Sequence, residues 1–354
     1  MAGGIGARFW PMSTSANPKQ FIDILGTGET LIQQTYNRFL KICPPENIYV
    51  VTSEEYRHLV QNQLPNLTDT QIIGEPTRRN TAPCIAYANY KILNQNPNAR
   101  IVVAPSDHVI LKEDVFVEVV TNALQAVSDN DWLLTIGIKP NRPETGYGYI
   151  QYSEEAQVHD IKDIRKVKTF TEKPILELAK SFVESGDFLW NAGIFIWSLK
   201  SIEKAFEQYL PEVNELFKQG IGLYDTDAED GFIKETYTKC KSISIDYGVM
   251  EKANNVYVYA ADLGWSDLGT WGSLFDINQK NEDNNTIVGR NVMTYDSKNC
   301  IINVPNKKLV VVQGLDNYIV VARENAILIC KKEDEQMIRN IVNDIKLEKG
   351  EAFT

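Results

Sequence analysis

Through the first two-thirds of the chain, short runs of apolar and β-branched residues alternate with longer stretches in which apolar positions recur every three or four residues. Runs 48–51, 101–104, 133–138, 149–152, 166–171, 193–197 and 256–260 predict strands, and stretches 53–63, 114–128, 175–185 and 199–209 predict helices. Strand and helix in alternation predict a mainly parallel sheet covered by helices. Thr52 with Glu55 three residues later forms a capping-box pattern, and Asn80 before Thr81-Ala82-Pro83 predicts a helix start with proline in its first turn. The acidic run 224–231 predicts an exposed loop.

The pattern changes at 278–285, a wholly polar stretch and the best linker candidate. It divides a domain at 1–280 from a smaller one at 281–354. The second carries closely spaced β-rich pieces at 300–304, 309–312, 318–322 and 326–330, which predict a small all-β unit. An amphipathic helix at 333–346 closes it, and the last residues are expected to fray.

Composition narrows the function. The 354 residues are 43% hydrophobic and 23% charged, as in ordinary globular proteins. With Lys+Arg 36 against Asp+Glu 47, the net charge of −11 disfavours a broad footprint on nucleic acid or anionic lipid, so any phosphate must be held locally. The five cysteines are scattered and never in a CxxC pair, which argues against a disulfide framework or structural zinc and fits a reducing cytoplasm. No apolar run approaches the ~20 residues a membrane helix needs, and no signal pattern follows Met1.

The chemistry begins at the start of the chain. In Ala2-Gly3-Gly4-Ile5-Gly6-Ala7-Arg8, the glycines let the backbone approach a ligand and turn successive N–H groups toward an anion, and Arg8 adds a charged fork. Lys19, in Pro18-Lys19-Gln20-Phe21, places a second cation a short loop away. The Walker spacing and GxGxxG are both absent, which disfavours a P-loop enzyme and a dinucleotide dehydrogenase. A phosphate-binding loop normally follows a buried strand, whereas here Met1 stands directly before the glycines. Native residues upstream of Met1 are therefore expected.

The run Ala2 to Pro11 with Pro18-Lys19-Gln20-Phe21 resembles the signature of sugar-1-phosphate nucleotidyltransferases. Trp10 and Gln20 make it most similar to the mannose-1-phosphate guanylyltransferase branch. Later blocks agree in order: Gly74-Glu75-Pro76, Asn80-Thr81-Ala82-Pro83, Ala104-Pro105-Ser106-Asp107-His108, Glu144 to Tyr149, Phe170-Thr171-Glu172-Lys173-Pro174, Trp190-Asn191-Ala192-Gly193, Tyr247 to Lys252 and Gly264-Trp265-Ser266-Asp267. The resemblance implies a Rossmann-like catalytic domain with a mixed sheet and a small C-terminal β-helix-like domain.

It also implies GMP transfer from GTP to mannose 1-phosphate with Mg2+, releasing pyrophosphate. Asp107, after the apolar run 101–104, would be one metal ligand and Asp267 the second; a turn or cap role is the alternative for either. Arg8, Lys19 and Lys173 would complete the catalytic set. Ala2, Gly3, Gly4, Gly6, Arg79, Asn80, Thr81 and Ser106 would join Arg8 and Lys19 around the nucleotide. Gly146, Tyr147, Glu172, Lys173, Asn191 and Gly193 would hold the sugar phosphate, with Asp246 and Glu251 as further candidates for its hydroxyls. His108 is read as structural, and Arg78 with Arg79 is either a phosphate-facing pair or a solvated helix start. A homodimer through the C-terminal unit is expected. Other nucleotides or sugar 1-phosphates, and a non-catalytic sugar-nucleotide sensor on the same fold, remain alternatives.

Overall fold

The computed structural model describes all residues except 158–162, so His159, one of the three histidines, lies outside the described residues. In chain order the strands of the first two-thirds are β1 (Val50–Ser53), β2 (Ile72–Glu75), β3 (Arg100–Val103), β4 (Val109–Ile110), β5 (Leu133–Ile138), β6 (Gly148–Gln157), β7 (Ile164–Glu172), β8 (Phe188–Ser198), β9 (Val256–Ala260) and β10 (Trp265–Ser266). The helices are α1 (Leu31–Phe39), α2 (Arg57–Gln63), α3 (Thr81–Gln95), α4 (Glu113–Asp129), α5 (Leu176–Ser185), α6 (Leu199–Tyr209), α7 (Pro211–Lys218), α8 (Glu229–Lys239), α9 (Trp271–Ile277) and α10 (Ile338–Lys349). The C-terminal strands are β11 (Thr286–Val288), β12 (Val292–Tyr295), β13 (Ile301–Asn303), β14 (Val310–Gln313), β15 (Tyr318–Ala322) and β16 (Ile327–Lys331).

The chain forms two compact units. The first comprises Met1–Gly3, Arg38–Pro105 and Ile110–Trp265; the second comprises Gly4–Asn37, Ser106–Val109 and Ser266–Thr354. The second unit thus takes in most of the glycine loop and the segment around Asp107, neither of which a single cut at 280/281 assigns to it.

In the first unit a six-stranded sheet runs in the order β3-β8-β5-β9-β7-β6. Alternate residues of β8 serve opposite faces: Phe195 and Trp197 join one core with α3, α6 and α7, while Ile194 and Ile196 join another with α4. A strand buried on both faces reads as a continuous apolar run, which is why this segment stood out in the sequence. The sheet is mixed as expected, but its parallel share is smaller than the alternation suggested. Among the described ladders of this sheet only β5–β9 is parallel, because β6 and β7 form a hairpin and β8 runs against β3, β5 and β6. A separate two-stranded sheet, β1 with β2, is parallel.

Of three local expectations, one holds and two are corrected. Asn80 does cap α3, accepting from Thr81 N–H at 2.9 Å, but the Thr52/Glu55 capping box does not form. The Thr52 hydroxyl donates instead to the Ala2 carbonyl, and a short 3-10 turn, Glu54–Tyr56, precedes α2. The acidic run 224–231 is not an exposed loop throughout. Lys91, buried on α3, pairs with Asp225 at 2.7 Å and Glu229 at 2.6 Å, and Glu229 also accepts from the Tyr87 hydroxyl. Like charges that look solvated in sequence are here neutralised by a cation far along the chain.

In the second unit, β11, β13 and β15 stack in parallel, as do β12 and β14, and β16 closes the first stack antiparallel. Strands that alternate between two parallel stacks make a β-helix-like coil. The chain end does not fray. Phe353 O accepts from Trp10 Nε1 at 2.6 Å, and Thr354 is buried.

Candidate active site

In the second unit the glycine loop is shaped around one lysine. Gly6 has a φ of 73°, and a Cβ there would lie 2.5 Å from Lys19 Cβ, so a side chain at position 6 would need both an unfavourable backbone conformation and displacement of Lys19. Lys19 N–H donates to Ile5 O at 3.1 Å, fixing the two turns together. Gly4 and Arg8 are exposed.

Lys19 itself is only 4% exposed. Its ammonium pairs with Asp107 Oδ2 at 2.8 Å and donates to Asp267 O at 2.9 Å and Leu268 O at 3.1 Å. An ammonium carries three protons, so these three oxygens use its full donor capacity. Burial alone would raise the Asp107 carboxyl, but the Lys19 ammonium outweighs it and holds the group below its ordinary value, with His108 acting in the same direction. Asp267 Oδ1 accepts from Gly269 N–H at 3.0 Å, so the turn role that the sequence left open for this aspartate is real. The Ser106 hydroxyl is buried without a partner among the described atoms.

In the first unit the other predicted residues fall into two groups. Around Asn191, a β-bulge in β8 and Gly193 at a φ of 66° turn the amide so that Oδ1 accepts from Gly193 N–H at 3.1 Å and from the Thr135 hydroxyl at 2.9 Å. Nδ2 donates to Asp246 Oδ1 at 3.0 Å, which fixes the amide's orientation. Desolvation, with the nearby Glu172 charge, pushes Asp246 up to about 6. Glu172 is largely buried and pairs with the exposed Lys173 ammonium at 2.5 Å. Burial works against that ammonium, but Glu172 overcomes it and raises its pKa. Gly148 is required here, since a Cβ would sit 2.5 Å from Glu172 Oε2. Gly146 N–H donates to Glu144, and the Tyr147 ring packs edge-on against Trp190 at 5.1 Å and Trp265 at 5.2 Å.

The second group surrounds the start of α3. Arg79 Nε donates to Tyr237 O at 3.0 Å, Thr81 Oγ1 accepts from Ile245 N–H at 2.8 Å, and Arg78 bonds Glu55 and Tyr56. Ala2 N–H donates to Val51 O at 2.7 Å. Sequence reasoning passed over Thr135 and Tyr237. Neither lies in a recognisable motif, and only the fold brings them to Asn191 and Arg79.

No cluster of three or more His, Cys, Asp or Glu side chains fit to hold a metal occurs among the described residues. Asp107 and Asp267 are nevertheless hard-oxygen residues gathered around one cation, the Lys19 ammonium, and one or two carboxylates with phosphate oxygens suffice for Mg2+. Both carboxylates are of the chemical type such an ion takes, although only that of Asp107 lies at Lys19, where Asp267 presents its backbone carbonyl and turns its carboxylate to Gly269 N–H.

The nucleotidyl transferase family model matches residues 1–284, and a MannoseP isomerase/GMP-like beta-helix domain model matches residues 289–345. The chain belongs to the mannose-1-phosphate guanylyltransferase family of nucleotidyltransferases. It is 36% identical to mannose-1-phosphate guanylyltransferase 2 of Escherichia coli O157:H7, over 100% of this chain and 74% of that protein. It is 35% identical to the alginate biosynthesis protein AlgA of Pseudomonas aeruginosa, over 98% of this chain and 71% of that protein. Among solved structures, the mannose-1-phosphate geranyltransferase from Thermus thermophilus superposes with a TM-score of 0.87 at 25% identity, covering 98% of each chain. This member of the family thus combines a mixed-sheet transferase domain with a β-helix-like one, and no helix among the described residues is long and apolar enough to cross a membrane.

Proposed function

We propose that this chain transfers GMP from GTP to mannose 1-phosphate, giving GDP-mannose and pyrophosphate, with Mg2+ and in the cytoplasm. The names of its relatives support the substrates. One observation supports the chemistry: the Lys19 ammonium lies against the Asp107 carboxylate and the Asp267 backbone carbonyl, so the two segments that carry the aspartates meet at one cation.

A sugar-phosphate oxygen is already an anionic nucleophile, so attack in line on the α-phosphorus needs positioning and charge neutralisation rather than a general base. Asp107 and Asp267 would hold Mg2+, which when bound neutralises the charge on the triphosphate oxygens. Arg8 holds the departing β and γ phosphates, and Lys19, its donors engaged within the protein, adds positive charge beside them, with Ala2, Gly3, Gly4 and Gly6 lending backbone donors and Ser106 its unpaired hydroxyl. Lys173 neutralises the attacking phosphate. Glu172 and the oriented Asn191 accept from and donate to sugar hydroxyls, while Gly146, Tyr147 and Gly193 shape the walls of that site. Arg79, Asn80 and Thr81 fix the start of α3 on the base side. Exposed Met293, Val311, Ile327 and Ile329 on the β-helix-like domain support a homodimer.

The reading is tested on a panel of five triphosphates crossed with mannose, glucose and N-acetylglucosamine 1-phosphates. GTP with mannose 1-phosphate should give the highest kcat/KM. A different preferred pair would replace the substrates while leaving the reaction type in place.

A further inference from the structure

Guanine carries two adjacent donors on its Watson–Crick edge, N1–H and the N2 amine, and hypoxanthine lacks only the second. A group that reads this edge must accept, and an ionised carboxylate accepts without donating. The residues that the sequence offered for base reading already have partners within the protein: Asn80 accepts from Thr81 N–H, Thr81 accepts from Ile245 N–H, and Arg79 donates to Tyr237 O. Glu75, at the end of β2, has a different arrangement. It is 7% exposed, and its Oε1 accepts from the Tyr237 hydroxyl at 3.0 Å. Tyr237 is itself fully buried against Tyr87 and Phe217, so that oxygen is fixed. Oε2 is turned toward Gly3 of the glycine loop, 3.9 Å from where a Cβ would begin, and with glycine there no side chain covers it from that direction.

We infer that Glu75 is the residue that selects guanine, accepting through Oε2 from the N2 amine while Tyr237 positions the carboxyl. The inference rests on the GTP reading above. Burial pushes the free Glu75 carboxyl up to about 7, so the test is run at pH 8, where it is ionised.

The experiment measures kcat/KM for GTP and for ITP with mannose 1-phosphate in the wild type and in Glu75→Gln. Hydrogen bonds to a charged group are each worth a factor of about 10 to 100, so the GTP/ITP preference should fall by about that factor in the variant. A variant that slows both nucleotides equally overturns the inference in favour of a purely structural role. Direct binding of GDP and IDP to the wild type is a second readout that does not depend on the variant folding. GDP should bind at least tenfold more tightly, and equal affinities overturn the inference. A wild type that ignores GTP overturns the inference and the GTP reading together; a wild type that prefers GTP, with an unchanged ratio in Glu75→Gln, overturns the inference alone.

Discussion

Two regions, the Lys19 site of the second unit and the recognition residues Asp246 and Glu75 of the first, handle their carboxylates in opposite ways. In the second unit Asp107 meets a buried ammonium, and its carboxyl is held below the ordinary range. In the first unit Asp246 and Glu75 meet an amide and a hydroxyl, neutral groups that do not offset the loss of water, and their carboxyls rise to about 6 and about 7. A carboxylate meant for a metal has to be ionised before the metal arrives, whereas one that reads hydroxyls or ring N–H groups can be held by neutral partners. On the proposed function, the difference separates charge handling around Lys19 from hydrogen-bond recognition around Asp246 and Glu75.

The pH consequences have opposite signs. Asp107 contributes stability above the ordinary carboxylate pKa and loses it as pH falls through its depressed folded value. Asp246 contributes only at low pH and loses that contribution as pH rises through about 6.

The strongest way to break the comparison is Lys19→Gln. It leaves Asp107 charged without its cation and removes the positive charge proposed to stand beside the leaving phosphates, so pyrophosphate release should fall at least ~100-fold. Unfolding free energy at pH 7 should drop by roughly 3 kcal/mol, the low end for a broken buried pair because Asp107 keeps 29% of its side-chain exposure. Chemical denaturation at pH 7 and pH 3 checks this, since the loss should shrink once Asp107 is protonated. An equal loss at both values would mean that Lys19 acts through packing alone.

A smaller effect sharpens the other half. Asp246 faces Glu172, Lys173 and Asn191, and in the wild type the KM for the sugar 1-phosphate should change by a few-fold as pH passes through about 6. In Asp246→Asn the profile should be flat in that window. A step that persists in the variant would assign the titration to another group.

How much of this was legible in the sequence depended on whether a partner was close in the chain. The cap at Asn80 was legible because its acceptor bonds the next residue. Lys19, Asp107 and Asp267 were each visible as motif residues, but nothing in the motifs said that one ammonium joins them. The 224–231 run was misread because Lys91 lies on a different helix, and the chain end because its anchor is Trp10. Thr52 and Glu55 have the spacing of a capping box, yet the first helical turn begins only after Ser53, and the Thr52 hydroxyl donates to the Ala2 carbonyl. The parallel share of the sheet was overestimated because strand–helix alternation does not reveal that β8 pairs with three antiparallel neighbours.

The proposal to test first is that Asp107 and Asp267, whose segments meet at Lys19 through a carboxylate and a backbone carbonyl, hold the metal of a nucleotidyl transfer. Its most direct test is pyrophosphate released from GTP and mannose 1-phosphate by Asp107→Asn across a magnesium titration, with folding verified by the thermal transition. A loss of at least ~1000-fold that added magnesium does not restore is expected. Turnover near the wild-type level at ordinary magnesium would contradict it.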